Sequence, residues 1–336
     1  MHFCQDDKIV CEFLNLNGKS LLNNLEQISF NNDSTIVLTI QKSYIQAYFY
    51  KNEDLKSITS FQVLKYAYFS QLQYLTFSNS FIAIPNSQIL ISSLSGLNSR
   101  KFMLKVQHDL GACYKLFLNK NENFLFISYR NDIHIFEKQI IGWKCIDKLE
   151  SLSNRDSIEY LCLNPEENHL VIHTSNGYSG SLAIVIFNKK SIENQIQWVM
   201  KQRISQGNGE LLGFVNNFQF LFQDYDRLQI YSLNKENLKF ESTNSINFGA
   251  PNYQFQSLAF WHKNSTLFII TKNSIRIMQF QEYQKLRQRQ LIQIDLSELT
   301  EADVGTNQFH SILTKDGKYL FIWNRKKTQI IKILNI

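Results

Sequence analysis

The chain is short of the residues that usually punctuate a fold, with 3 proline and 12 glycine among 336 residues. A hairpin-rich protein with so little glycine needs another turn former. Asparagine suits that role because it tolerates left-handed backbone and bonds its own main chain. Asn31-Asn32, Asn119, Asn121, Asn131, Asn216-Asn217, Asn264 and Asn273 stand where turns are expected. Cysteine is equally uninformative as a framework: Cys4, Cys11, Cys113, Cys145 and Cys162 are odd in number and carry no paired spacing. That excludes a disulfide scaffold and points to reduced thiols in the cytoplasm. No run approaches the roughly 20 apolar residues that cross a bilayer. The opening residues, Met1 to Asp7, lack the basic and apolar regions of a signal peptide. No catalytic, metal or nucleotide motif stands out, so no cofactor is expected.

What the chain does have is apolar material and a period. Hydrophobic residues make up 44% and charged residues 19%, with 26 Phe and 15 Tyr. An apolar strand, a short Asn/Asp/Ser/Lys turn and a second strand close to Ile-x-Ile-aromatic recur about seven times. The strands that precede the turn begin at Ile36, Phe81, Phe124, Leu170, Phe218, Leu267 and Leu320, spaced by 45, 43, 46, 48, 49 and 53 residues. A period of roughly 40 to 45 residues is that of one four-stranded propeller blade.

Within the third unit four short segments follow one another, at 114–118, 124–128, 133–136 and 143–149. Each is rich in β-branched and aromatic residues and bounded by turn formers. Ile133-His134-Ile135, Leu228-Gln229-Ile230 and Ile275-Arg276-Ile277 alternate apolar and polar, as half-wet strands do. Phe124 to Ile127 and Leu267 to Ile270 are apolar throughout, which marks central strands buried on both faces. The last unit, ending at Ile336, lacks a fourth strand. The strand-like run at 8–14 supplies it, so that the termini meet in one blade and no sheet edge stays open.

Period and strand order make the chain similar to WD40-type β-propellers over nearly its whole length. The Gly-His pair and the Trp-Asp dipeptide of that family are missing. Phe136-Glu137, Phe187-Asn188, Tyr231-Ser232 and Met278-Gln279 stand in the corresponding places. The polar network that braces family members is therefore not expected, and packing carries more of the stability. The expected fold is all-β: a single seven-bladed β-propeller of four-stranded blades, ring-closed by the N-terminal strand. The approximate repeats are 25–65, 66–110, 111–155, 156–205, 206–250, 251–300 and 301–336 with 8–14. The whole of 1–336 forms one domain.

Candidate sites are few. His169 and His173 have zinc-helix spacing but fall on a strand, where four residues span roughly 13 Å. Asp224 and Asp226 lie in a turn with neither the third acid nor the glycine of a calcium loop. Gly207-Asn208-Gly209 lacks the lysine of a phosphate loop and reads as a flexible connection. Glu159 and His310 are the isolated acid and base of the first strands, too few for several catalytic roles. Trp198 sits in a lengthened fourth unit, as core or as binding anchor. Residues 283–291 form a short helix or an outermost strand facing a partner.

The net charge of +6 is concentrated at Lys285, Arg287 and Arg289, at Arg325, Lys326 and Lys327, and in the pairs Arg100-Lys101 and Lys189-Lys190. The resemblance implies a non-catalytic scaffold or adaptor that binds other proteins in a larger intracellular assembly. The expected partner-binding residues are the six basic ones at 285–289 and 325–327. The alternative is an RNA- or anionic-lipid-associated propeller using the same residues. A small-molecule hydrolase with a site at the channel mouth is a third reading.

Overall fold

A computed structural model describes residues 10–14, 25–31, 33–51, 54–62, 69–85, 89–93, 104–105, 113–129, 131–140, 142–149, 156–176, 182–192, 195–206, 209–224, 227–247, 255–261, 266–271, 274–280, 286–293, 310–314, 316–323 and 328–334. All regular structure among them is β. The strands run in chain order as β1 (Val10–Leu14), β2 (Leu25–Phe30), β3 (Ile36–Gln41), β4 (Tyr44–Lys51), β5 (Asp54–Gln62), β6 (Phe69–Leu75), β7 (Ser80–Pro85), β8 (Leu90–Ser93) and β9 (Leu104–Lys105). Next come β10 (Cys113–Leu118), β11 (Phe124–Tyr129), β12 (Asp132–Lys138), β13 (Trp143–Leu149), β14 (Asp156–Leu163), β15 (His169–Asn176), β16 (Leu182–Ile192) and β17 (Gln195–Gln206). The remainder are β18 (Glu210–Asn216), β19 (Gln219–Asp224), β20 (Arg227–Asn234), β21 (Lys239–Asn247), β22 (Phe255–Trp261), β23 (Thr266–Thr271), β24 (Ser274–Phe280), β25 (Leu286–Gln293), β26 (His310–Leu313), β27 (Tyr319–Trp323) and β28 (Thr328–Leu334).

These strands make four-stranded antiparallel sheets. Six sheets are runs of four consecutive strands, from β2–β5 to β22–β25. A seventh is composite, ordered β1-β28-β27-β26. In it β1 pairs with β28 from Val10 opposite Leu334 to Leu14 opposite Ile330. A continuous stretch of chain thus supplies six of the sheets, and the seventh needs both ends. The start of each second strand falls within one residue of its sequence expectation. Residues 286–293 are an outer strand.

The chain divides into two compact units, Met1–Tyr66 with Asn252–Ile336, and Ala67–Pro251. In the first unit β27 shows how the sheets hold together. Leu320 and Ile322 pack with Phe268, Ile270, Ile275 and Ile277 of β23 and β24. The alternate residues, Phe321 and Trp323, pack with Phe30, Val37 and Tyr48 of β2, β3 and β4. Phe321 lies 4.9 Å from the Phe30 ring. A strand packed on both faces carries a near-continuous apolar run, which is why the sequence of β27 does not alternate.

The second unit repeats the device in series. Leu125 and Ile127 of β11 face Ile82, Ile84 and Ile91 of the preceding sheet. Phe126 faces Leu170, Ile172 and Trp198 of the following one. Val171 of β15 then turns to Phe220 and Phe222 of β19. Each fully buried Phe of this kind contributes roughly 1.5–3 kcal/mol.

The turns after the first strands share one geometry. A left-handed residue stands three positions after the turn's first residue at Ser34 (φ 55°), Asn79 (φ 47°), Glu122 (φ 53°), Glu167 (φ 58°) and Gly317 (φ 77°). Only one of the five is glycine. Asparagine side chains replace what glycine would relieve. Asn119 Oδ1 accepts the N–H groups of Asn123 at 2.9 Å and Phe124 at 2.8 Å. Asn164 Oδ1 does the same for Asn168 and His169, at 2.9 and 2.8 Å.

The second unit also has polar bracing between sheets, contrary to the expectation that packing acts with little such help. The Glu122 carboxylate accepts the N–H groups of Thr76 at 2.5 Å and Phe77 at 3.0 Å, in the preceding sheet's turn. Glu167 likewise accepts Lys120 N–H at 2.6 Å and Asn119 Nδ2 at 2.9 Å. Asn217 continues the series by accepting Glu166 N–H at 3.0 Å. Lower down, the Gln71 amide grips both backbone groups of Leu116 at 2.8 and 2.9 Å. Gln202 grips those of Phe240 at the same distances.

Two glycine substitutions separate backbone strain from this bracing. Leu238 has φ 56° and its side chain is exposed, so Leu238→Gly relieves a left-handed residue and stabilises by up to about 1 kcal/mol. Glu122→Gly gains the same relief but strips two charge-assisted bonds worth roughly 1.5–3 kcal/mol each. It is expected to destabilise by about 2–5 kcal/mol. Thermal melts read both, and shifts of the same sign would refute the bracing role of Glu122.

Candidate functional site

The longest strands in the second unit build its most distinctive surface. β15 pairs with β16 only as far as His169 opposite Asn188. The β16–β17 hairpin runs on through Lys189–Trp198, Lys190–Gln197, Ser191–Ile196 and Ile192–Gln195 pairs. It projects beyond its own sheet and leaves a groove against the sheet β10–β13. Phe124, Phe126 and Trp198 floor that groove, and Ile146 and Ile196 wall it. Trp198 is buried, with its ring edge-on to Phe126 at 5.8 Å. Ile146 and Ile196 remain 39% and 37% exposed, so the walls stay partly wet.

Three charged residues line the same groove: Asp147, Glu167 and Lys189. Both acids are engaged, Glu167 by the neighbouring turn as above and Asp147 by Lys148 N–H at 2.8 Å. The Lys189 ammonium sits 5.5 Å from the centre of the Phe124 ring. Among the described residues no carboxylate pairs with it. Apolar side chains also project from two of the linked turns, at Phe77 and Phe218.

A second polar group lies on β10, β14 and β15. Glu159 Oε1 accepts the hydroxyls of Ser157 at 2.7 Å and Ser175 at 2.5 Å. Burial works to raise the Glu159 carboxyl, but these two bonds, with His173 and Lys115 nearby, hold it below the ordinary carboxylate value. His173 is almost wholly buried, its ring edge-on to Phe222 at 5.3 Å. Burial pushes its imidazole down to about 4, against a smaller opposing pull from Glu159. The two serine hydroxyls and the Glu159 carboxylate form one hydrogen-bonded cluster that favours the ionised carboxylate.

The other sequence candidates fall as follows. His169 and His173 share one strand face, and each packs against a phenylalanine of the next sheet, Phe240 and Phe222. His169 Nδ1 bonds Asn188 Oδ1 at 2.8 Å. Asp224 accepts Gln229 Nε2 at 3.3 Å, and Asp226 lies outside the described residues. Gly209 has no room for a side chain, since a Cβ there would meet Gln223 O at 2.0 Å, and Gly207 and Asn208 lie outside the described residues. His310 is exposed beside Trp323, at 5.5 Å between rings. Cys145 and Cys162 are free thiols, and burial raises the Cys162 thiol to about 12. Among the described residues no group of three or more His, Cys, Asp or Glu is placed to hold a metal, and no helix is long and apolar enough to cross a membrane. Lys285, Arg325, Lys326, Lys327, Arg100 and Lys101 lie outside the described residues, as do the side chains of Arg287 and Arg289.

No protein-family model matches the sequence, and no curated protein matches it. Solved structures do. The Neurospora crassa Pan2 WD40 domain is 12% identical, with a TM-score of 0.66 over 100% of this chain and 98% of that one. The fold is a WD40-type β-propeller. The Myceliophteria thermophila Cps50 (Swd1) β-propeller domain aligns at TM-score 0.64 and 7% identity, over 96% of this chain and 99% of that one. A chain of a mitotic checkpoint complex aligns at TM-score 0.64 and 12% identity, over 96% and 91%. At such identities the likeness concerns the fold alone.

His173 makes the propeller's stability depend on pH. Folded, its imidazole stays neutral down to about pH 4, whereas an unfolded histidine takes its proton near 6.5. Between those values the unfolded state binds more protons, so stability falls as pH is lowered through that window, by about 3 kcal/mol in all. Denaturant titrations from pH 7 to pH 4 should show this slope flattened in His173→Leu. An unchanged slope in the variant would refute it.

Proposed function

We propose that this protein is a non-catalytic interaction scaffold, a subunit or adaptor that holds other proteins in a larger assembly. The observation that carries this reading is the β16–β17 groove: an apolar floor, half-exposed isoleucine walls and the charged residues Asp147, Glu167 and Lys189, mounted on sheets stitched together at their turns. A surface that stays partly wet yet apolar gains from being covered, at roughly 25 cal/mol per Å². The neighbour found in a mitotic checkpoint complex gives the same fold a place in a multi-protein assembly. By analogy of fold, this chain works in the same manner.

Three further expectations belong to this proposal. The sheets act as blades of one domain, with seven blades in one ring and β1 closing the last. The free thiols suit a reducing compartment, the cytoplasm. The basic residues at 285–289 and 325–327 remain candidate partner contacts.

The test is recovery of the native complex from the protein's own cells, with crosslinks mapped by residue. Stable protein neighbours crosslinked through Lys144, Lys189 or Lys190, and retained at high salt, are the expected result. A chain recovered alone, or with nucleic acid only, would overturn the scaffold reading.

A further inference from the structure

Resting on the scaffold reading, we infer that the outer edge of β17, over residues 195–200, takes up an extended segment of a partner protein as a fifth strand of its sheet. That segment is apolar at alternate positions. β17 ends the order β14-β15-β16-β17, so one side of it bonds β16 and the other faces outward. From Gln195 to Met200 its register with β16 is unbroken, running from Ile192 opposite Gln195 to Phe187 opposite Met200. Alternate residues of an antiparallel strand turn both N–H and C=O to the same side, so about half of these six offer a donor and an acceptor outward, along about 20 Å of edge. Register slips just beyond Met200, where Lys201 is passed over and Gln202 stands opposite Ile186. A bulge of this kind ends regular pairing and bounds the stretch an added strand can use.

The neighbouring outer strands show how an edge is closed. β13 exposes Lys144 and Lys148 on either side of Ile146, and exposed lysines deter a pairing strand. β21 exposes Lys239 and Glu241, and the backbone N–H and C=O of its Phe240 are taken by the Gln202 side chain at 2.8 and 2.9 Å. Residues 195–200 read Gln-Ile-Gln-Trp-Val-Met, without charge or proline. Ile196, Val199 and Met200 are exposed there beside Gln197. An open edge this apolar is an aggregation site unless a native occupant covers it. The occupant must bring its own backbone donors and acceptors in extended form, which a lipid surface or a nucleic acid does not. It must also be apolar opposite Ile196 and Met200, which share one face and form cross-strand pairs with what lies beside them. A second copy of this chain fits less well: two folded chains need roughly 1,200–2,000 Å² of buried surface to hold together, more than one short edge supplies. A flexible segment needs the ladder alone.

A phage-displayed random dodecapeptide library panned on the full-length chain tests this without knowledge of the partner. The expected enrichment is Val, Ile, Phe, Tyr or Trp at every second position. Binding of the best such peptide, fluorescein-labelled and read by anisotropy, should weaken about tenfold or more in Val199→Lys and in Met200→Lys, a loss of roughly 1.4 kcal/mol or more. Neither residue lines the groove described above. Ile58→Lys, the same change at an exposed position of β5, should leave binding unchanged, and melts of all three variants report folding. Synthetic peptides methylated on alternate backbone nitrogens add a readout that side-chain contact would not give: one alternate set should abolish binding and the other preserve it. No enrichment, peptides indifferent to both β17 variants, or binding that survives both methylated sets would overturn the inference. A dimer of the chain in light scattering that Met200→Lys dissolves would overturn it in favour of a second copy. Recovery of the native complex alongside any of those outcomes would show that only the assignment of the edge fails and that the scaffold reading stands.

Discussion

A sheet whose second strand carries an unbroken apolar run facing both ways, as β11 and β27 do, cannot stand alone in water. β27 sends Leu320 and Ile322 to one neighbour and Phe321 and Trp323 to the other. β11 divides Leu125 and Ile127 from Phe126 in the same way. Stability therefore resides between sheets more than within them, as in other repeat proteins whose units bury their faces only by stacking. Hydrogen bonds within a sheet set register; the apolar contact between sheets makes the register worth keeping.

The polar contacts work on top of that packing. Glu122, Glu167 and Asn217 each reach from one turn into the turn before it. They fix the turns of four successive sheets against one another at one end of the second unit. Chain length spent on that fixed frame can protrude without loosening it. The β16–β17 hairpin is such a protrusion, and the groove beneath it combines Phe124 and Ile146 of one sheet with Lys189, Ile196 and Trp198 of the next.

Much of the fold was legible because its signal is periodic. Seven apolar strands at regular spacing placed the second strand of every sheet, and an orphan run near the N-terminus matched the strand missing at the C-terminus. The groove was not legible. Its residues come from positions 124 to 198: Phe124 and Phe126 read as a central strand and Lys189 as half of a basic pair, and no local pattern joined them. Trp198 stood out as either core or anchor, and it turns out to be buried beneath the groove. The Asn119–Asn123 and Asn164–Asn168 turns were visible as turns, but no local rule says that Glu122 and Glu167 grip the preceding sheet.

Amide hydrogen exchange on the intact chain, resolved by residue, tests most directly whether packing between sheets holds the molecule. Slowest and near-uniform exchange is predicted for the both-faced strands β3, β11, β15, β19, β23 and β27, opening together at the free energy of global unfolding. Outer strands β5, β13, β17 and β21 should exchange faster by local opening. Protection as strong in the outer strands as in the central ones, or central strands that open one by one with separate free energies, would contradict the account.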